Sequence, residues 1–352
     1  MFKSIKIKNL RAIEKLNIDN LGQINLFVGQ NNCGKTTILE GLFFLIGATN
    51  PQLLIRANTF RALNVASKEL LCTFFNNMDV AVPIEISCEI RETKEKQKLL
   101  IRPKKKKTRT IEHIDSDFVP VEIEAADSRP PFIPDGLELE YSSTKNRSEK
   151  TISEIFLKGR DVVTEGYKER ELQGIFINPL TLYSWKDRFG AAHRKKLVPE
   201  LISFLKKIDP HISDLGLNEI GLLEVDIGLP SLLPANLVGG GIVKFLSVAL
   251  AMLNSRDGIV LIDEVENGLH YSAQQKIWEA IFNWSEELNV QVFATTHSYE
   301  CINAFATCAP NTLFAKDCKL FRIERTDGVL TPIRFGTPED ILTYVAKRWE
   351  IR

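Results

Sequence analysis

One short run, Gly29-Gln-Asn-Asn-Cys-Gly34-Lys35-Thr36, limits what this chain can become more than any other feature. It fits GxxxxGK[ST] in full. It follows the apolar run Ile24-Asn-Leu-Phe-Val28 and opens a stretch, residues 36–45, whose apolar positions recur at helical spacing. A strand that delivers its end into a glycine loop, with a helix behind it, aims backbone N–H groups and the positive end of the helix at one place. Lys35 is expected to reach the outer phosphates of a nucleotide there, and the Thr36 hydroxyl to ligate Mg²⁺. A plain glycine turn with a solvated lysine is the bland alternative, and the flanking strand and helix argue against it.

Further along, Ile259-Val-Leu-Ile-Asp263-Glu264 reads as an apolar strand ending in two acids. Asp263 suits the metal side of such a site, and Glu264 suits the polarisation of an attacking water. Alone, two acids at a strand end would simply reach solvent. Leu237-Val-Gly239-Gly240-Gly241 precedes a helix upstream of Asp263, and His297 stands near the end of Val292-Phe-Ala-Thr-Thr-His-Ser downstream of it. A glycine triplet is usually a hinge and a lone histidine usually structural, but their order behind a complete phosphate loop narrows the class.

The rest of the chain reads as α/β. Apolar central strands alternate with helices at residues 242–253 and 272–288, which predicts a parallel sheet covered on both faces. Residues 84–163 carry short β-like runs, expected as an antiparallel region appended to the first lobe, and residues 186–212 look helical, with Leu197, Leu201, Phe204, Leu205 and Ile208 on one face. The expected organisation is a nucleotide-binding lobe over 1–175, a helical lobe over 176–235 and a second lobe over 236–352. Lysine plus arginine (45) equals aspartate plus glutamate (45), so any anionic partner must be held by a local patch. The dense basic run Arg102-Pro-Lys-Lys-Lys-Lys-Thr-Arg109 is the candidate for DNA phosphates, against the alternative of a solvated loop. Six cysteines without metal-site spacing, an amino terminus unlike a signal peptide and no long uncharged apolar run predict a cytoplasmic protein that does not enter the membrane.

Four segments together resemble a known family: Ile7-Lys-Asn-Leu-Arg11, the extended loop Asn25-Leu-Phe-Val-Gly-Gln-Asn-Asn-Cys-Gly-Lys-Thr-Thr-Ile-Leu-Glu40, Leu261-Ile-Asp-Glu-Val-Glu-Asn-Gly-Leu-His270, and Phe293-Ala-Thr-Thr-His-Ser298. They are similar to the OLD-like and RecF/SMC-like branch of ABC-type P-loop ATPases, and to its stand-alone AAA family ATPases in particular. The likeness spans nearly the whole chain but is specific in the two outer thirds. It implies ATP held by Gly29, Gln30, Asn31, Asn32, Cys33, Gly34, Lys35, Thr36 and Thr37, with Mg²⁺ on Thr36 and Asp263. It also implies Glu264 as the catalytic base, with Lys35 on the phosphates and His297 sensing the γ-phosphate. Val238, Gly239, Gly240 and Gly241 of one subunit would close over the ATP of another, making a homodimer.

Three departures stand out. Val238 occupies the place of the signature serine, which removes a hydroxyl from the cross-subunit contact, and Gly240 stands where this branch often has an acid. No glutamine marks the loop between lobes. Asn178 is the candidate stand-in there, or else a turn residue before Pro179. The short stretch after His297 holds no DxD pair, so no Toprim nuclease is expected within this chain. The resemblance then implies a separately encoded effector, a nuclease or toxin, in phage defence or DNA maintenance. Two functions stay open: an ATPase that closes and opens a dimer with each turnover, and a nucleotide-gated scaffold that turns over slowly. A nucleotide kinase or GTPase explains neither the glycine segment nor the histidine.

Overall fold

A computed structural model describes residues 1–63, 67–104, 133–145, 150–158, 161–170, 172–312, 315–326 and 329–347. The chain opens with the hairpin β1 (Phe2–Leu10) and β2 (Ile13–Ile18), whose alternating Ile5, Lys6, Ile7, Lys8 sends isoleucines inward and lysines to solvent. Next come β3 (Ile24–Val28), buried throughout, and α1 (Lys35–Ile46), followed by α2 (Gln52–Thr59) and α3 (Lys68–Cys72). Then β4 (Ile84–Ile90), β5 (Lys96–Lys104), β6 (Gly136–Ser143), β7 (Thr151–Lys158) and β8 (Asp161–Glu165) extend the hairpin into an antiparallel sheet of order β2-β1-β4-β5-β6-β7-β8. The expected β region is therefore one sheet with the amino-terminal hairpin. Its apolar face lies against one side of α1, and a second sheet covers the other, so residues 37–46 of that helix are all buried.

Beyond β9 (Gly174–Ile177) lie α4 (Trp185–Arg194), α5 (Val198–Lys206) and a meander of β10 (Asp214–Leu217), β11 (Leu223–Asp226) and β12 (Leu233–Pro234). The stretch 186–212, expected as helical, is thus two helices. Lys196 turns left-handed between them (φ 58°) and Pro199 sits in the first turn of α5. The segment 176–235 is not wholly helical either: Leu215, Leu223 and Val225 face inward at a period of two, which suits the meander.

The remainder is α6 (Gly240–Asn254), β13 (Ile259–Ile262), α7 (Tyr271–Glu287), β14 (Gln291–Thr295), α8 (Tyr299–Cys308), β15 (Cys318–Thr326), β16 (Val329–Arg334) and α9 (Pro338–Ala346). The second sheet runs β16-β15-β3-β14-β13-β9, parallel but for its edge strand β16, and it draws strands from every part of the chain. Because β3, β13 and β14 run the same way, the phosphate loop, Asp263 and Thr295 leave the sheet at one edge, where open α/β sheets hold ligands. Among the described residues no helix is long and apolar enough to cross a membrane. Of the basic run, residues 105–109 lie outside the described residues, Arg102 pairs with Glu140, and Lys104 pairs with Glu138 and Glu154.

Candidate active site

The loop after β3 is shaped by positive φ at Gly29 (143°), Asn32 (64°) and Gly34 (90°). A side chain at Gly29 would place its Cβ 2.5 Å from the Ile323 carbonyl oxygen and 2.9 Å from the Cys33 sulfur, so the loop closes only on glycine. Gly34 caps α1 without a side-chain hydrogen bond, and the first turn carries no acid, which leaves that helix end open to an anion. Lys35 folds over the loop, its Nζ donating to the carbonyls of Gly29 and Gln30 at 2.8 Å each.

Thr36 and Asp263 meet although they are far apart in the chain. The Thr36 hydroxyl is 3.2 and 3.0 Å from the two carboxylate oxygens of Asp263, and the Thr295 hydroxyl donates to Asp263 Oδ1 at 2.6 Å. Burial pushes the Asp263 carboxyl up from its ordinary range, while these two hydroxyls hold it down in part. A hydroxyl and a carboxylate side by side form the hard oxygen set that Mg²⁺ takes when phosphates and waters complete its shell, so the residues fit that ion.

Glu264 follows in a left-handed turn (φ 51°), a conformation that costs a non-glycine residue about 1–2 kcal/mol. The turn is held at both ends: the Glu264 N–H donates to Thr295 Oγ1 at 2.9 Å, and Lys244 Nζ donates to the Glu264 carbonyl at 3.0 Å. His297 is held in turn by Glu266, whose Oε1 accepts the His297 N–H at 3.0 Å and lies 3.1 Å from its Nδ1.

A cavity of about 380 Å³ brings together Asn31, Asn32, Gly34, Lys35, Thr36, Thr37, Asp263, Glu264 and His297. Gly29, Gln30 and Cys33 lie on the opposite side of the loop, where with Asn31 and Asn32 they line a second cavity beside residues 322–326. Val238, Gly239, Gly240 and Gly241 are not among the lining residues of the first cavity. They stand at the start of α6, and nothing lies within 4 Å of a Cβ built at Gly239 or Gly241. Asn178 does not face the site: its amide oxygen accepts the Thr181 N–H at 2.8 Å and its amide nitrogen donates to the Phe60 carbonyl at 3.0 Å, so it is the turn residue.

Arg11, Arg61 and Thr295 also line the first cavity, although no sequence motif assigns any of them a role there. Glu40, fully buried on α1, joins both arginines, with Arg11 Nε at 2.8 Å and Arg61 Nε at 2.7 Å. Arg11 ends the motif already singled out. No local pattern marks Arg61, which reaches the cavity only because the chain returns past α2.

A parallel sheet with a phosphate loop after β3, a histidine just past the neighbouring strand β14 and two acids at the end of β13, the strand beyond it, define a P-loop ATPase of the ABC type. Residues 24–303 match the family described as "AAA domain, putative AbiEii toxin, Type IV TA system". The chain belongs to that family. It is 24% identical to the "ATP/GTP phosphatase" of Helicobacter pylori, across 94% of this chain and 95% of that one. The OLD nuclease of Thermus scotoductus is 22% identical across 100% of this chain and 67% of its own length. RecF of Bacteroides fragilis is 30% identical over 36% of this chain and 33% of its own. A solved SMC head bound to the C-winged helix domain of ScpA superposes with a TM-score of 0.51 at 12% identity, covering 95% of this chain and 97% of that one, which is a likeness of fold.

Proposed function

We propose that the chain hydrolyses Mg-ATP at the first cavity, in a homodimer that ATP closes. The observation that carries the reading is the contact of Thr36 with Asp263, which joins the phosphate loop to the end of β13 with Glu264 one residue further on. The open amino terminus of α1 and Lys35 would bind the phosphates. Thr36 and Asp263 would hold Mg²⁺, which when bound neutralises charge on the phosphate oxygens. Glu264 would accept a proton from the attacking water and His297 would contact the γ-phosphate. The exposed start of α6, absent from the chain's own cavity, is free to complete the site of a second copy through backbone N–H groups and helix polarity.

Val238 in place of a hydroxyl favours a second reading, a slow nucleotide-gated scaffold. The family description, which names a toxin system, supports a separately encoded toxin as the effector, and the OLD nuclease and RecF relatives suit a nuclease effector or a role in DNA maintenance; phage defence is carried by the resemblance alone. Six free thiols suit the cytosol. Lys35→Ala should lose ATP binding. Glu264→Gln should keep binding, shift the chain from monomer to dimer in light scattering with ATP, and lose on the order of a hundred- to ten-thousandfold in phosphate release. Parent-like phosphate release by Glu264→Gln sinks the base assignment, and a mass that ignores ATP sinks the closing dimer.

A further inference from the structure

Lys244 is the unusual member of α6. The helix reads Gly-Gly-Ile-Val-Lys-Phe-Leu-Ser-Val-Ala-Leu-Ala-Met-Leu-Asn, a buried apolar element, and yet Lys244 is only 1% exposed. Burying an ammonium is costly, and a methionine of similar length would fill the same space without that penalty. Packing alone therefore does not account for a lysine here. Its Nζ donates at 3.0 Å to the carbonyl of Glu264, the residue held in a left-handed turn.

The surroundings explain how the cation is tolerated. Glu266, Glu264 and Asp263 face it from the turn after β13, and their negative charge offsets part of a burial effect that still pulls the ammonium down to about 8, while the neutral Cys301 thiol lies toward it on α8. Glu266, in turn, holds both the main chain and the ring of His297. Lys244 thus stands one turn into the helix whose start is the glycine segment, in contact with the turn that carries Glu264 and beside the carboxylate that carries His297.

We infer that Lys244 is a positioning residue that couples α6 to Glu264: when the glycine segment docks on the nucleotide of a second copy, movement of α6 is passed through the Lys244–Glu264 hydrogen bond to the catalytic turn. The inference rests on the proposed dimeric ATPase. The turn needs constraint at both ends because its backbone is strained, and Thr295 supplies the other end. With the lysine contact gone, Glu264 loses its fixed place over the cavity. A displacement of about 1 Å at such a group costs on the order of a hundredfold in rate.

The test compares Lys244→Met, Lys244→Arg and Glu264→Gln in the full chain, measuring ATP affinity, ATP-driven dimerisation, melting temperature and single-turnover hydrolysis. Lys244→Met is expected to bind ATP and dimerise as the parent does, with hydrolysis lower by on the order of a hundredfold. Lys244→Arg, which keeps a charged donor, is expected to recover part of the rate. Parent-like hydrolysis by Lys244→Met beside an inactive Glu264→Gln overturns the inference and spares the base. A joint fall in affinity, melting temperature and rate that Lys244→Arg does not relieve overturns it in favour of a structural role. Parent-like hydrolysis by Glu264→Gln refutes the base assignment instead.

Discussion

Replacing Thr295 by valine tests the polar joint at the heart of the site. Thr295 is fully buried at the end of β14, and its single hydroxyl does two jobs: it donates to Asp263 Oδ1 at 2.6 Å and accepts the Glu264 N–H at 2.9 Å. Valine keeps the branched shape and removes both contacts. Loss of a hydrogen bond to a charged group costs about 1.5–3 kcal/mol, and an unmatched buried N–H costs about 1–3 kcal/mol more. The Glu264 N–H is only part-buried, so the lower end of the second range applies and the expected total is about 3 kcal/mol. That is a large share of the roughly 5–15 kcal/mol that holds a typical domain folded. Urea denaturation should show a lower midpoint at an unchanged slope. Thr295→Ser, which keeps the hydroxyl and loses a methyl group, should cost only about 1 kcal/mol. The Asp263 carboxyl, already raised by burial, loses one of the two hydroxyls that hold it down, so it should rise further. The acid limb of ATP turnover should then move to higher pH in Thr295→Val and stay in place in Thr295→Ser. A valine variant with the parent's midpoint and acid limb would refute the joint.

Glu40→Gln should leave Arg11 and Arg61 under-compensated beside the cavity. Breaking such a buried pair costs about 3–5 kcal/mol, with the low end expected because Arg61 is partly exposed, and calorimetric melting checks it. Burial pushes the Cys88 and Cys301 thiols up to about 12. An unfolded thiol ionises near 9, so between pH 9 and 12 the unfolded chain releases protons that the folded chain keeps, and stability should fall as pH rises, by up to about 1.4 kcal/mol per unit for each thiol. Lys244 acts in the opposite sense: its folded value near 8 lies below the unfolded 10.5, so it adds stability as pH climbs between the two. Lys244→Met should therefore steepen the alkaline loss seen in urea titrations at pH 8 to 10.5.

What could be read from the sequence was local in the chain. The glycine loop announces itself because its positive-φ backbone and the helix behind it depend on neighbouring residues, and β13 does so because a strand buried on both faces must be apolar throughout. The same locality let Asp263, Glu264 and His297 be picked out by their order at strand ends. Weak local signals do not fix an element: the left-handed Lys196 splits the helix that periodicity predicts over 186–212, and a period-two meander occupies 214–234 within a segment expected to be helical. Tertiary structure alone decided which distant groups meet. Thr295 reaches Asp263 because β13 and β14 are paired in register. Arg61 meets Glu40 because α2 carries the chain back over α1, and Lys244 finds the Glu264 carbonyl because α6 packs beneath the turn after β13. Periodicity reports which face of an element is buried. It does not report what that face will touch, because that follows from the order of strands in a sheet and the return path of the chain.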